Sequence, residues 1–343
     1  MIRNLVSFIL RSRLENVMAV GVSLSLSVFF LTTRLFHTFH FGMLDFLFIL
    51  LPVGVLGVKA LLGLLLSSEK EGDENIDPTK YLVRFFQPLV KITRDWFPFL
   101  LLSACYYSLY NNLILRINPH SADPFLSKID AAILGNQASI LLEPFIHPWI
   151  TDFLNAIYFS HVLFFPGVAL YFYLKREEKT FRRLMMGYLT IILMGIISYI
   201  LVPAIGPEKF LADSYTRDLH GQMLSRTVNY IIDIGRVNND CFPSLHVGIP
   251  LLLSFYLRDY RRKAFVPMLI YVALMCCATI YLRYHYLIDV IAAFAYAPAA
   301  YYLNDFLLCH WPGEKLSGLA AQIQEKHHTT HPAQNQNVNQ PEI

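Results

Sequence analysis

Apolar runs of about 20 residues recur along this chain of 343 residues and leave few ways for it to fold. A helix of that length crosses the roughly 30 Å hydrocarbon core of a bilayer. Hydrophobic residues make up 55% of the sequence and charged residues only 15%, whereas a typical soluble domain has roughly 25% charged residues. We therefore predict an all-α protein, a polytopic membrane helix bundle.

About eight transmembrane helices are predicted, at residues 16–34, 42–66, 97–115, 151–174, 184–204, 245–257, 264–283 and 286–308. We divide the chain into three parts. Residues 1–96 hold two additional N-terminal transmembrane helices and a cytoplasmic amphipathic loop, and residues 97–309 hold a six-helix core. Residues 310–343, which end in Gln, Asn, His and Pro, are predicted to be a disordered cytoplasmic tail.

The orientation of the helices follows from two short basic loops. Residues 175–183 carry five cations and residues 258–263 carry four, and short loops rich in Lys and Arg favour the cytoplasm. Both chain termini are then predicted to be cytoplasmic, whereas residues 116–150, residues 205–244 and the turn near residue 284 face the non-cytoplasmic side. The net charge of only +3, with its cations in short clusters, fits this topology better than nucleic-acid binding.

Two short motifs lie at the outward ends of apolar segments: Cys-Phe-Pro-Ser-Leu-His at 241–246 and His-Tyr-Leu-Ile-Asp at 285–289. On a helix, His285 and Asp289 share one face because they are four residues apart. The carboxylate can then fix the histidine tautomer and leave the other ring nitrogen as a nucleophile. The alternative is a buried His–Asp pair with a structural role.

Ser244 is a natural N-cap for the helix that follows it, and the start of that helix is a potential anion site. His246 would stand in the first turn, where it can protonate a leaving oxygen. The alternative is a capping serine beside an interfacial histidine. No zinc-type spacing of Cys and His appears, so no metal ligands are predicted.

Cations near these motifs are candidate phosphate contacts. Lys209, in the segment Gly-Pro-Glu-Lys at 206–209, can hold a phosphate oxygen, and the alternative is an ordinary interfacial lysine. Arg283 lies two residues before His285, so only a turn brings both side chains to one site. Three arginines of the predicted outward loop are weaker candidates: Arg217, Arg226 and Arg236. Asp130, Tyr158 and His161 are weaker still, because core packing or interfacial anchoring is the favoured role for them.

At these motifs the chain resembles the type 2 phosphatidic acid phosphatase superfamily of membrane phosphoesterases. Pro243-Ser244-Leu245-His246 matches its second signature, Pro-Ser-Gly-His, except at the leucine. In the third signature His285 and Asp289 match, but its Ser-Arg pair is replaced by Ala278 and Thr279. The leucine and the threonine resemble the branch of inositol phosphorylceramide synthases and their bacterial relatives. The resemblance covers residues 97–309.

The resemblance implies catalysis without a metal or other cofactor, through a phosphohistidine-type intermediate. His285 would be the nucleophile, Asp289 its orienting partner and His246 the acid for the leaving group, with Ser244 and Lys209 as phosphate contacts. Because the motif arginine is missing, Arg283 or a loop arginine would replace it.

The function expected is that of an integral membrane lipid phosphatase or phosphotransferase acting on a phospholipid or lipid phosphate at the non-cytoplasmic face. Transfer to water or to a hydroxyl group both remain open. The alternative is a membrane transporter or channel with an intramembrane His/Asp site. The ionisable residues gather towards one membrane face rather than the midplane, which favours the enzyme.

Overall fold

A computed structural model describes residues 2–33, 87, 90–103, 106, 114–222, 225, 228, 230, 238–317, 319 and 323. This part of the chain is helical and contains no strand, only an isolated bridge between Ala204 and Asp240. The prediction of an all-α helix bundle is confirmed. The predicted span at 42–66 and most of the predicted amphipathic loop lie outside the described residues.

The described helices follow one another along the chain. They are α1 (Ile2–Arg11), α2 (Leu14–Thr33), α3 (90–103), α4 (Ile114–Ile117), α5 (Asp123–Leu134), α6 (Ala138–Leu141), α7 (Pro148–Leu174), α8 (Glu178–Leu201), α9 (Pro207–Phe210), α10 (Leu245–Tyr260), α11 (Phe265–Tyr281), α12 (Leu287–His310) and α13 (Pro312–Ser317).

Four helical stretches are long and apolar enough to cross a membrane: α7, α8, Arg262–Tyr281, which includes α11, and α12. Each coincides with a predicted span. Large apolar side chains stay exposed along their outer faces, among them Ile197, Val266, Ile270 and Phe294. A soluble monomer rarely exposes extended apolar surface, so these faces fit contact with lipid.

Helix α10 forms the centre of the bundle and contacts α7, α8, α11 and α12. It has only 16 residues and is about 24 Å long at 1.5 Å per residue, which suits a helix enclosed by others. Close packing against α8 depends on Gly195, where an added Cβ would lie 2.6 Å from a methyl group of Leu245. The small residue thus lets α8 approach the start of α10, which carries the Pro-Ser-Leu-His motif.

Two predicted boundaries differ from the structure. The helix predicted to begin at residue 97 already includes residues 90–96, and Trp96 is fully buried against Phe99 and Phe181. The start of the predicted disordered tail is also ordered, because residues 312–317 form α13. Local composition did not reveal either feature, since both depend on packing against distant segments.

Buried ion pairs occupy the end of the bundle at which α8 begins. Arg182 contacts Glu15 at 2.7 Å and Glu314 at 2.6 Å, and thereby joins α8 to α2 and α13. Arg183 contacts Asp259 and Asp305, each at 2.6 Å, and joins α8 to α10 and α12. These two arginines were predicted to belong to a basic loop. They lie instead inside a helix and are paired with carboxylates.

Candidate active site

The two histidine motifs meet at the opposite end of the bundle, where α10 and α12 begin. His246 is the second residue of α10, and His285 lies two residues before α12. Their rings are in contact, with 3.3 Å between His285 Nε2 and His246 Nδ1. Short connections between α10, α11 and α12 bring both helix starts to the same end, as the alternating topology predicted.

His285 is held in a turn rather than on a helix. The sequence predicted that His285 and Asp289 share a helical face, but α12 begins only at Leu287 and Asp289 forms a capping box with Tyr286. The backbone N–H of His285 donates to the carbonyl oxygen of Thr279 at 3.1 Å. The turn residue Arg283 has a φ of 66°, in the left-handed region that non-glycine residues seldom adopt.

The closest partner of His285 Nδ1 is the carbonyl oxygen of Cys241, at 2.8 Å. The carboxylate oxygen Oδ2 of Asp289 is farther away, at 3.4 Å. A carbonyl oxygen only accepts hydrogen bonds, so Nδ1 carries the proton in this arrangement. His285 Nε2 is then the lone-pair nitrogen, and His246 Nδ1 donates to it across the 3.3 Å contact.

The thiol of Cys241 completes the surroundings of Asp289. Its Sγ lies 2.9 Å from Asp289 Oδ2, and the same oxygen accepts the N–H of Tyr286 at 2.8 Å. Burial, and then the nearby charge of Asp289, raise the pKa of the Cys241 thiol well above its usual range. The sulfur therefore stays protonated and donates to the carboxylate. We did not predict this role for Cys241, although the residue opens the first motif.

Cys241, His285 and Asp289 also form a candidate metal centre, since one donor atom from each lies within 4.8 Å of the others. In the hydrogen-bonded arrangement the sulfur and Nδ1 both carry protons, and a metal ion binds only after both have left. These three residues therefore fit a hydrogen-bonded cluster, in which the thiol and the imidazole are protonated, better than a metal site.

Ser244 stands at the N-cap position of α10, but its side chain does not cap the helix. The residue is fully buried, and its Oγ has no hydrogen-bond partner among the described residues. Its backbone N–H donates to the carbonyl oxygen of Asp289 at 3.1 Å, which ties the two motifs together. A buried hydroxyl without a partner requires an explanation, and a ligand oxygen would supply one.

Two side chains of α7 flank His246. Tyr158 stacks on the His246 ring with 4.4 Å between centroids and an interplanar angle of 21°, and His161 lies 4.6 Å away at 46°. His161 Nδ1 is buried and has no hydrogen-bond partner among the described residues. The sequence favoured packing or interfacial anchoring for both residues, because the contact between α7 and the start of α10 is not visible in a local pattern.

Helix α5 fixes the site from the outside through two buried carboxylates. Asp123 accepts the N–H groups of Ile205 and Gly206 and the hydroxyl of Tyr286, each at 2.9 Å. Asp130 accepts the N–H groups of the first two residues of α12, at 2.7 and 2.9 Å. Gly206 has a φ of 93°, and an added Cβ would lie 2.9 Å from the carbonyl oxygen of Tyr284, so this turn requires glycine.

The two predicted cations lie in different surroundings. Lys209 is exposed and donates to Asn238 Oδ1 at 2.9 Å. Arg283 is buried, forms a 3.0 Å ion pair with Glu143 and stacks over the ring of Tyr215. No described contact joins Arg283 to either histidine, so this placement does not support a role as a phosphate contact. Sequence reasoning missed Glu143 because its partner is 140 residues away.

Comparisons with known proteins identify the family of this chain. A family model described as PAP2 superfamily matches residues 125–303, which run from α5 through most of α12 and include both motifs. No curated protein and no solved structure matches. The superfamily generally comprises phosphoesterases. The match spans more than half of the sequence, and the chain belongs to the PAP2 superfamily.

Proposed function

We propose that the protein is an integral membrane phosphoesterase or phosphotransferase that cleaves a phospholipid or lipid phosphate through a phosphohistidine at His285. The observation that carries this proposal is the 3.3 Å contact between His285 Nε2 and His246 Nδ1. It joins a nitrogen nucleophile to a proton donor within hydrogen-bond reach. A transporter site near the membrane midplane would not require two imidazoles at the ends of two helices.

The first half of the reaction forms a bond between His285 Nε2 and phosphorus and breaks the bond between phosphorus and the leaving oxygen. The electron pair of the broken bond stays on that oxygen, and protonated His246 gives it a proton. The carbonyl of Cys241 holds the proton on Nδ1, so the imidazole becomes a phosphoimidazolium. Asp289, whose Oδ2 is 3.4 Å from Nδ1, stabilises that positive charge.

The second half restores the enzyme. Neutral His246 takes a proton from the acceptor hydroxyl, the acceptor oxygen bonds to phosphorus, and the bond between phosphorus and Nε2 breaks. If water is the acceptor, the product is free phosphate or a free phosphorylated headgroup. If a lipid or sugar hydroxyl is the acceptor, the product is a new phosphoester. In this scheme His246 carries the proton that moves in each half-reaction, and no step uses a metal.

We assign the phosphate oxygens to the start of α10. The N–H groups of a first helical turn have no carbonyl partner within the helix, and they form an anion site with the helix dipole. The unpartnered Oγ of Ser244 lies at this helix start. Lys209, on the short helix α9, remains the proposed cationic contact. These groups replace the arginine that is missing from the third signature.

The exposed apolar faces of the long helices support a lipid substrate. They fit a bundle that lies in a bilayer, and the site at one end of that bundle would then lie near the lipid headgroups. With the orientation predicted from the basic loops, that end faces the non-cytoplasmic leaflet. Leu245 and Thr279 resemble the inositol phosphorylceramide synthase branch, which favours phosphotransfer to a hydroxyl over hydrolysis. The carbonyl of Thr279 also holds the His285 backbone.

Purified protein in detergent, incubated with labelled lipid phosphates and with labelled phosphatidylinositol, tests the function. We expect release of free phosphate or appearance of a new phospholipid, and label bound to the enzyme after a rapid quench. The His285→Gln variant should lose both turnover and bound label. His120→Gln is the matched control because His120 is exposed on the same side of the molecule.

Two results would overturn the proposal. One is wild-type protein that turns over none of these lipids. The other is a folded His285→Gln variant that keeps full activity, since the imidazole would then not be the nucleophile.

A further inference from the structure

Helix α1 stands apart from the helices that form the bundle. Residues 6–11 of this ten-residue helix are all exposed, and Phe8 is 71% exposed, more than any other large apolar side chain that the structure describes. α1 contacts α13, but that contact leaves Val6, Ile9 and Leu10 exposed as well. A helix of this length is marginal in water unless one of its faces packs on something, so the apolar side chains of α1 call for a covering surface.

The exposed residues of α1 divide into an apolar side and a polar side. Ile9 and Leu10 follow Val6 by three and four residues, so these three share one face of the helix. Ser7 and Arg11 are four residues apart and lie together on the other side. The helix contains no Asp or Glu, and its last turn is basic. A helix with an apolar side and a basic polar side is of the kind that lies in the plane of a membrane surface.

The corner that follows α1 fixes the helix to the end of the bundle at which α8 begins. The indole N–H of Trp311 donates to the carbonyl oxygen of Ser12 at 2.8 Å, and Arg13 forms an ion pair with Glu178 at 2.6 Å. An added Cβ at Gly313 would lie 2.5 Å from the same carbonyl oxygen, so the two segments are in close contact. Trp311 directly follows α12 and Glu178 begins α8. α1 therefore lies at the level where two helices that can cross a membrane reach their ends.

A lipid surface is the partner that fits this position. Tyr302 and Phe306, in the last turns of α12, are exposed, so the apolar outer surface of the bundle extends to the end that holds α1. At 1.5 Å per residue α1 is about 15 Å long, and with a width of roughly 10 Å one of its faces offers about 150 Å². A stable protein interface buries roughly 800 Å² on each partner. A second copy of the chain would need far more surface than α1 provides, whereas a bilayer would not.

We propose that α1 is a membrane-surface anchor, which lies in the headgroup region of the leaflet at the end where α8 begins. Val6, Ile9 and Leu10 point towards the acyl chains, and Ser7 and Arg11 point towards water and the lipid phosphates. Helices of this kind bury their apolar side about 5–10 Å into the boundary between headgroups and acyl chains. The cation of Arg11 adds attraction to anionic lipids. This inference requires the bundle to lie in a membrane and does not depend on the chemistry at the histidines.

Fluorescent labels on the two sides of α1 test the proposal in the full-length protein, reconstituted into nanodiscs of phosphatidylcholine and phosphatidylglycerol. Ile9→Cys carries the label on the apolar side, and Ser7→Cys is the matched control on the polar side. The four native cysteines outside the first motif are replaced in both. A lipid with a nitroxide near the headgroup end of its acyl chain should quench the label at position 9 more strongly than a lipid with the nitroxide near the methyl end. Dissolved iodide should quench the label at position 7 severalfold more strongly than the label at position 9.

Three results would overturn the proposal. Equal and strong quenching by iodide at both positions would show that neither side of α1 lies in lipid. A label at position 9 that neither iodide nor the nitroxide lipids quench would show that protein covers the apolar side, either a second copy or another segment of the chain. Stronger quenching by the nitroxide near the methyl end would place the helix in the hydrocarbon core. Leu10→Cys repeats the test on the same face if Ile9→Cys perturbs the helix.

Discussion

At the scale of single residues, the buried hydroxyl of Ser244 makes the proposed phosphate site testable. Because Ser244 Oγ makes no hydrogen bond to the described protein, its removal should cost little stability. A hydrogen bond to a charged group contributes about 1.5–3 kcal/mol, so Ser244→Ala should lower kcat/KM about 10- to 100-fold. Steady-state kinetics with a lipid phosphate and a thermal unfolding curve would measure both effects.

Ser254→Ala is the matched control for Ser244→Ala. Ser254 is also fully buried in α10, but its Oγ donates to the carbonyl oxygen of Leu251 at 2.6 Å. We expect this variant to keep wild-type kcat/KM, since the bond is local to the helix. Wild-type kcat/KM in Ser244→Ala would rule out the assignment of its hydroxyl to the substrate phosphate.

The sequence was sufficient to predict that His246 and His285 share one end of the bundle, because motif spacing and helix alternation determine that outcome. It was not sufficient to predict what surrounds them. The carbonyl of Cys241 is the closest partner of His285 Nδ1, and a backbone atom leaves no signature in residue types. The pairing of Arg283 with Glu143 spans 140 positions, so it depends on tertiary packing alone.

At the scale of elements, Glu143 connects the turn at Thr216 and Arg217 to the segment that carries His285. It accepts the N–H and hydroxyl of Thr216 at 3.0 and 2.7 Å and pairs with Arg283. Burial opposes the charged form, but the hydrogen bonds from Thr216 and Arg217, together with the charge of Arg283, outweigh it and lower the pKa of Glu143. The carboxylate is therefore more acidic in the folded protein than in the unfolded chain.

This shift predicts how stability depends on pH. A lowered folded pKa stabilises the protein above the ordinary value of 4.5, and the contribution disappears as the pH falls through the folded pKa. Glu143→Gln should therefore unfold at a lower temperature than wild type at neutral pH. The difference should shrink as the pH is lowered below 4.5. Thermal unfolding in detergent across this range would measure it.

The exposed residue Asp213 on the same side of the molecule offers a control. Asp213→Asn should keep the acid dependence of wild type. A Glu143→Gln variant that is as stable as wild type at neutral pH would contradict the role given to this carboxylate.

At the scale of the whole molecule, buried ion pairs join segments that the sequence divides into separate parts. Arg182 lies 167 positions from Glu15 and 132 positions from Glu314. Loss of one partner in a buried pair typically costs about 3–5 kcal/mol, so α2 and α13 belong energetically with α8. We therefore propose that the boundary of the six-helix core lies before residue 90 rather than at 97, and that the packed region continues beyond α13 to Leu319 and Ile323, which are buried in the core.

The buried ion pairs lie at one end of the bundle and the imidazoles at the other, so the two ends can be told apart. The orientation proposed for the bundle in the membrane can therefore be tested directly. If the end with the histidines faces outward, a cysteine introduced as His120→Cys should react with a membrane-impermeant maleimide in intact cells. Lys263→Cys, at the other end, should react only after permeabilisation. Both positions are exposed, so differences in labelling report the side of the membrane.

The four native cysteines outside the first motif are replaced beforehand, and buried Cys241 is kept. The reverse pattern would place the site on the cytoplasmic side. It would also show that the charge count of residues 175–183 gave the wrong orientation, because Arg182 and Arg183 lie in α8 and are paired with carboxylates.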